Sequence, residues 1–369
     1  MQVAVDGTPL LGRRTGIGRY TEHLLTALAG RPELSVSATA FTLRGAGDLA
    51  AAVPAGVATR SVPVPARLLR SAWTHCEWPP VGLFSGPCDV FHGTNFVLPP
   101  TGRAGGVVTI HDLAFLTMPD TVDATSRALR DLVPRSLARA AAVCTPSRSV
   151  ADQVLDAYGP AVPELVVTPL GVDPGWLAVG PPDAGERARL ALPADYFLFV
   201  GTREPRKDLA TLLVGYARLR SDWSGQGARP ELLLVGPRGW QADQRPAPGV
   251  QIRGYTPIDE LRTVLAGARA LVMPSRDEGF GLPALEGLAA GVPVIVSSVP
   301  ALLEVTGGQA RVFEVGDVDA LAAELALAAA AVPDAAAAQA RRLRRDYAAS
   351  WTWQRCADAT VGAYRLAVR

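Results

Sequence analysis

Residues 270–298 restrict the fold more than any other stretch of the chain. An apolar run, Ala270-Leu-Val-Met273, stops at Pro274, and a polar turn carrying Asp277 and Glu278 follows. Gly279-Phe-Gly281 comes next, and Pro283 suits the first turn of a helix. That helix takes in Glu286 and ends near Gly291, where Pro293 blocks its continuation. A second apolar run, Val294-Ile-Val296, comes after it. Strand, loop, helix, strand is the repeating unit of a parallel sheet, and the loop falls at the carboxyl end of a strand, where open α/β sheets bind ligands. The glycines let the backbone come close to a ligand. The free N–H groups at the helix start favour an anionic one.

The same order recurs along the chain. Val3-Ala-Val-Asp6 reads as a strand, Gly7 to Gly18 as a glycine-rich loop, and Ile17 to Ala29 as a helix with Tyr20, Leu24, Leu25 and Leu28 on one face. A glycine loop between strand and helix cradles phosphate. This one is not a Walker A loop and lacks the third glycine of the dinucleotide fingerprint, so a structural turn stays open as the alternative. Val36 to Leu43 is a second strand, and residues 44–60 are loop and short helix. Asp89-Val-Phe-His92-Gly-Thr-Asn95 and Val107-Val-Thr-Ile-His111-Asp112 each read as a strand ending in a polar turn that delivers a histidine to one sheet edge. A structural role is the alternative for His92. A helix over 126–141 precedes the segment Ala142–Ser147, from which another helix runs to about Tyr158.

Residues 174–186, rich in Pro, Gly and Asp, read as a linker after Val166-Val-Thr-Pro-Leu-Gly-Val-Asp173. Tyr196-Phe-Leu-Phe-Val200 is a buried parallel strand. Arg203, Arg206 and Lys207 then cluster at a strand-to-helix turn, and three cations there point to a diphosphate. Lys207 is the only lysine among 36 basic residues. Glu231–Gly236 and Val250–Tyr255 are further strands. Asp317-Val-Asp319 has the spacing of a metal-binding pair but precedes a helix, so Asp317 is expected to cap that helix and no metal is expected.

A length of 369 residues suits two domains. With 49% apolar and 19% charged residues the chain can bury large cores and is not of the disordered class. A net charge of +1 gives no reason to expect a nucleic-acid partner. Cys76, Cys88, Cys144 and Cys356 form no C-x-x-C pair and are expected to be reduced and buried. The first residues read as a strand and not a signal peptide, and no apolar run reaches the ~20 residues of a membrane span. A cytoplasmic protein is expected. The basic and aromatic stretch Arg67–Trp78 leaves open a peripheral contact with the inner membrane face or an acceptor cleft. A helix packing its Leu and Trp inward is the alternative.

The string from Glu278 to Glu286 resembles the E-x7-E motif of retaining glycosyltransferases. The wider resemblance is to glycosyltransferase family 4, mannosyltransferase-like, and covers essentially the whole chain. It implies the GT-B fold, α/β with two Rossmann-like domains facing a central cleft. The expected division is an acceptor domain over 1–173, a nucleotide-sugar donor domain over 174–352, and a C-terminal helix over 353–369 crossing back to the first domain. Thr-Ile-His-Asp resembles the segment that sets a histidine, here His111, beside the transferring sugar. Gly16 and Gly18 match the glycines that approach the donor phosphate, and Lys207 matches the diphosphate-binding lysine. Thr202 stands where many members carry an arginine, which leaves Arg206, preferred, or Arg203 as the second cation.

By the same resemblance Tyr255 belongs to the turn that reads the nucleotide base. Gly279, Phe280, Gly281 and Leu282 line the donor, Glu278 binds sugar hydroxyls and Glu286 binds the ribose. The implied reaction moves a hexose from a nucleoside diphosphate to a hydroxyl of a glycan, lipid-linked or natural-product acceptor. Configuration is retained, and no metal or other cofactor takes part. GDP-mannose is the expected donor, with UDP- and dTDP-sugars open. An epimerase or hydrolase of the same fold, or a sugar-nucleotide-binding subunit without turnover, remains the alternative. Base, hexose, acceptor and oligomeric state are not legible.

Overall fold

The computed structural model describes residues 1–12, 14, 16–43, 45–224, 229–239 and 247–368. Arg13 and Thr15 of the glycine-rich loop lie outside these. The chain divides into two compact units. Unit 1 comprises Met1–Pro119, Ala124–Gly171 and the C-terminal stretch from Thr352; unit 2 comprises Asp120–Asp123 and Val172–Trp351.

Unit 1 is built on a parallel sheet. Its strands are β1 (Gln2–Asp6), β2 (Ser35–Thr39), β3 (Ala58–Thr59), β4 (Val90–Gly93), β5 (Gly105–Thr109), β6 (Ala142–Thr145) and β7 (Glu164–Val167). Among the described residues they run in the order β3-β2-β1-β4-β5-β6-β7. Unit 2 has β8 (Tyr196–Val200), β9 (Glu231–Val235), β10 (Val250–Arg253), β11 (Ala270–Met273), β12 (Val294–Ser297) and β13 (Arg311–Phe313), in the order β10-β9-β8-β11-β12-β13. These pairings too are parallel. The central strands are apolar without alternation because helices cover both faces. In unit 2, Phe197, Val272 and Ile295 pack with Leu212, Leu321 and Leu325 on one face. Leu271 and Val294, on the other face, meet the helix Leu282–Ala289 at Gly287, where a Cβ would lie 3.0 Å from both. Burying one such side chain contributes roughly 1.5–3 kcal/mol.

Several expectations needed correction. β2 stops at Thr39 instead of reaching Leu43, because its partner β1 ends at Asp6, opposite Thr39. Beyond it, Phe41 N donates to the Thr8 hydroxyl. Residues 44–60 contain the short strand β3. The helix expected over 126–141 is two pieces, Ala124–Arg127 and Leu129–Arg139. The expected linker holds the helix Pro174–Ala178 and the start of a second, Ala184–Arg189. Asp173 caps the first, and Asp183 with Glu186 closes a capping box on the second. Trp176 and Arg262 anchor this segment, Arg262 pairing with Asp173 at 2.5 Å. Cys144 and Cys356 are buried, but Cys76 is exposed. In the helix Ala66–His75, Leu69 and Trp73 point inward while Leu68 is exposed; Trp78, beyond the helix, is exposed too.

His92 was expected at a strand end and lies inside β4, fully buried. Its Nδ1 shares a hydrogen bond of 2.8 Å with the Tyr364 hydroxyl, and its Nε2 one of 2.7 Å with Thr109 Oγ1. Thr109 Oγ1 also meets the Tyr20 hydroxyl at 2.9 Å. This chain ties the C-terminal helix Trp353–Ala367 to the sheet and to the helix Gly16–Ala29. Among the described residues no single helix is long and apolar enough to cross a membrane.

Burial pushes the His92 imidazole down from 6.5 to about 3, with His111 adding to the shift. Below pH 6.5 the unfolded chain then holds a proton that the folded one lacks. Stability is therefore complete above 6.5 and falls as the pH drops, by about 1.4 kcal/mol per pH unit at most. Urea denaturation of His92→Asn should show lower stability at neutral pH, by about 1–3 kcal/mol for the stranded hydroxyls, but a shallower loss on acidification. An equal acid slope in both proteins would remove His92 as its source.

Candidate active site

The site in unit 2 forms where two segments leave neighbouring strands. β8 runs into Gly201–Asp208, and β11, its partner in the sheet, runs into Pro274–Gly281. The first segment turns through a short 3-10 helix, Pro205–Lys207, and into the helix Leu209–Ser221. Asp208 makes that turn possible. It takes a left-handed conformation (φ 47°, ψ 47°), which a short polar side chain tolerates, and its carboxylate caps the helix by accepting from Thr211 N and Oγ1. The same carboxylate accepts from Arg276 Nε at 2.9 Å.

Two more bonds join the segments: Arg276 N donates to Arg206 O at 2.9 Å, and Arg206 NH1 donates to Asp277 O at 3.1 Å. Lys207 Nζ meets Glu278 Oε1 at 2.6 Å, and Arg206 NH1 lies 3.6 Å from Glu278 Oε2. Arg206 NH2 also donates to Glu204 Oε1 at 2.9 Å. Ser275 Oγ donates to Glu278 Oε1 at 2.8 Å, and Ser297, at the end of β12, donates to Ser275 O. Glu278 is buried at 6% exposure. Burial works to raise its carboxyl, but the Lys207 and Arg206 charges and the hydrogen bonds from Lys207 and Ser275 outweigh it and hold it below the usual carboxylate range. The result is a buried carboxylate facing two cations at a sheet edge.

Gly281 follows at φ 98°, in the left-handed region, and a Cβ there would meet Leu302 at 2.5 Å, so only glycine fits. It is the N-cap of the helix Leu282–Ala289, which starts at Leu282 and holds Glu286, 2% exposed. Phe280 is buried edge-on against Trp351 with ring centres 5.6 Å apart. Gly279 joins Glu278 to this ring. Arg203 pairs through its backbone with Arg238 in an isolated bridge, and Arg206 is the arginine found against Glu278. Tyr255 is half exposed beyond β10, with β9 between that strand and β8. The sequence reading missed Ser275, Arg276 and the hub role of Asp208. Asp208 followed by Leu-Ala-Thr211 carries a cap signature that points to one of these.

In unit 1, Gly16 and Gly18 open the helix Gly16–Ala29, and a Cβ on Gly18 would lie 2.6 Å from Pro9 O. His111 leaves β5 and is 8% exposed. Its Nε2 donates to Thr94 O at 2.7 Å, which assigns the proton to Nε2 and leaves Nδ1 as an acceptor. Burial lowers its pKa against the opposing pull of Thr94 and Asp112, so the ring is neutral at pH 7. Tyr20 and Phe96 hold it edge-on.

A family model described as "Glycosyl transferases group 1" matches residues 194–330, and one described as "Glycosyl transferase 4-like domain" matches residues 15–171. The chain is 32% identical over 293 residues to the O-antigen chain mannosyltransferase B of Escherichia coli, which covers 75% of this chain and 74% of that protein. It is 34% identical over 237 residues to a glycogen synthase of Mycobacterium tuberculosis, covering 61% of this chain and 54% of the other. Among solved structures, sucrose-phosphate synthase from Thermosynechococcus elongatus superposes with a TM-score of 0.72 at 20% identity, covering 99% and 98% of the two chains. Anabaena HepE in complex with UDP and glucose superposes with a TM-score of 0.66 at 14% identity, covering 98% of each. The fold is GT-B, with two Rossmann-like domains, and the chain belongs to the group 1 glycosyltransferases. It is therefore a glycosyltransferase enzyme.

Removing one member of a buried ion pair leaves the other charge stranded, at about 3–5 kcal/mol. Lys207→Met and Glu278→Gln should each destabilise unit 2. The double variant should be about 1–3 kcal/mol more stable than the sum of the two single losses predicts. Strict additivity in a denaturation cycle would show that the pair is not coupled.

Proposed function

We propose that this enzyme transfers a hexose, mannose as the first choice, from a nucleoside diphosphate to an acceptor hydroxyl with retention of configuration. The observation that carries the reading is the Glu278 carboxylate held against Lys207 and Arg206 at the switch point of the unit 2 sheet. A diphosphate is the ligand whose charge two adjacent cations match, and an Arg fork with a Lys point charge suits phosphate oxygens. The 32% identity to an O-antigen chain mannosyltransferase supports mannose; GDP-mannose is the donor first proposed. UDP- and dTDP-sugars are the competing donors.

On this reading the C1–O bond to the diphosphate breaks, the acceptor oxygen joins C1 on the same face, and the acceptor proton passes to a phosphate oxygen. Lys207 and Arg206 stabilise the charge that develops on the leaving group, as do backbone N–H groups of Gly16, Phe280 and Gly281. Glu278, released from Lys207 as the diphosphate replaces it, takes sugar hydroxyls. Glu286 takes the ribose, and Nδ1 of His111 accepts from a sugar hydroxyl. Gly18, Gly279 and Leu282 shape the donor pocket, and Tyr255 borders the base. No metal is needed on this reading, since the two cations supply the charge and Asp317 is engaged as a helix cap, accepting from Ala320 N at 2.9 Å. Unit 1 takes the acceptor.

A thermal-shift panel of GDP, UDP, dTDP and ADP identifies the base, because a ligand at 100-fold over its Kd adds ~2.7 kcal/mol. Lys207→Ala should abolish the shift, and an unchanged affinity would sink the diphosphate assignment. Glu278 competes with the diphosphate for Lys207. Glu278→Gln should therefore bind the free nucleotide as well as or better than wild type while transfer falls about 100-fold or more. NMR of the product anomer tests retention.

A further inference from the structure

Both sheets reverse the direction of their strand order once. In unit 2 the reversal lies between β8 and β11, whose outgoing segments carry Lys207 and Glu278. In unit 1 it lies between β1 and β4. Connections from two such strands leave toward opposite faces of the sheet, so a crevice opens beyond their carboxyl ends. Asp6 ends β1 at this point, and Thr94 and Asn95 follow β4.

Asp6 is built in. Its Oδ1 accepts from Thr8 N at 2.9 Å. Thr94 Oγ1 donates to Asp6 O at 2.7 Å, and Thr94 O receives the Nε2–H of His111 at 2.7 Å. One residue, Thr94, thus holds both Asp6 and His111 in register. Asp6 is half-buried and keeps access to solvent. Burial raises its carboxyl, against the bonds from Thr8 and the charge of Arg70. A partly desolvated carboxylate at a sheet switch point is a strong acceptor for hydroxyl donors.

We infer that the carboxyl ends of β1 and β4 form a hydroxyl-binding subsite in unit 1, where the Asp6 carboxylate accepts a hydrogen bond from a sugar or other polyol acceptor. The inference rests on the reading that transfer goes to a hydroxyl.

Asp6→Asn separates the two roles of this residue, because an asparagine oxygen still accepts from Thr8 N while the charge is gone. The probes are a panel of methyl glycosides, headed by methyl α-mannoside, with the donor whose nucleotide shifts the wild type. Asp6→Asn should keep the thermal midpoint and nucleotide affinity of the wild type and raise the acceptor KM at least about tenfold. Unchanged acceptor kinetics would reduce Asp6 to a turn former. A lost midpoint or a weakened nucleotide affinity would likewise overturn the subsite. Wild-type transfer to no member of the panel would overturn the polyol class. The donor reading fails separately, through an unchanged nucleotide affinity in Lys207→Ala.

Discussion

The contact between Lys207 and Glu278 joins positions 71 residues apart, and the candidate site depends on it. Alone it is an expensive arrangement, since desolvating two charges offsets most of their attraction. What makes it stand is the frame around it. Asp208 turns the first segment, caps its helix and holds Arg276 of the second. Arg206 reaches Asp277 O, and Ser275 fixes the carboxylate from below. The pair is therefore kept for its geometry more than for stability. Two cations and a carboxylate are thereby gathered at one sheet edge.

That edge is a consequence of topology. In a doubly wound parallel sheet the switch point leaves a gap that side chains from two strand ends can share. Both units have such a point, and polar side chains gather at each. The interior below is handled differently. His92, Thr109, Tyr20 and Tyr364 form a buried hydrogen-bonded chain in unit 1, in which each polar group finds a partner inside the core. Such a chain gives the C-terminal helix one docked position on the sheet, because a shifted helix would strand buried donors and acceptors.

The local placement of many candidate site residues was legible in the sequence because it depends on nearby turn residues. Arg206, Lys207, Glu278 and Gly281 each sit at a strand-to-helix turn marked by glycine or proline, and Asp317 was readable as a cap. His92 was misread because its strand end and that of His111 look alike in sequence. Only the sheet shows that His92 lies within β4 while His111 lies two residues past β5. The supposed linker was misread for another reason: capping aspartates and prolines at helix starts are the same residues that mark loops.

By itself, the sequence determined the alternation of strand and helix, the apolar runs that must be buried on two faces, and the turns where the candidate site residues stand. These depend on periodicity and on backbone preferences within a few residues. The tertiary structure alone decided which turns become neighbours. It placed Lys207 against Glu278 and Asp208 against Arg276, assigned the proton of His111 to Nε2, and brought Asp6 beside Thr94. Those pairings follow from strand order. Strand order is set by how whole helices and sheets bury their apolar faces, and no single segment of the chain contains that information.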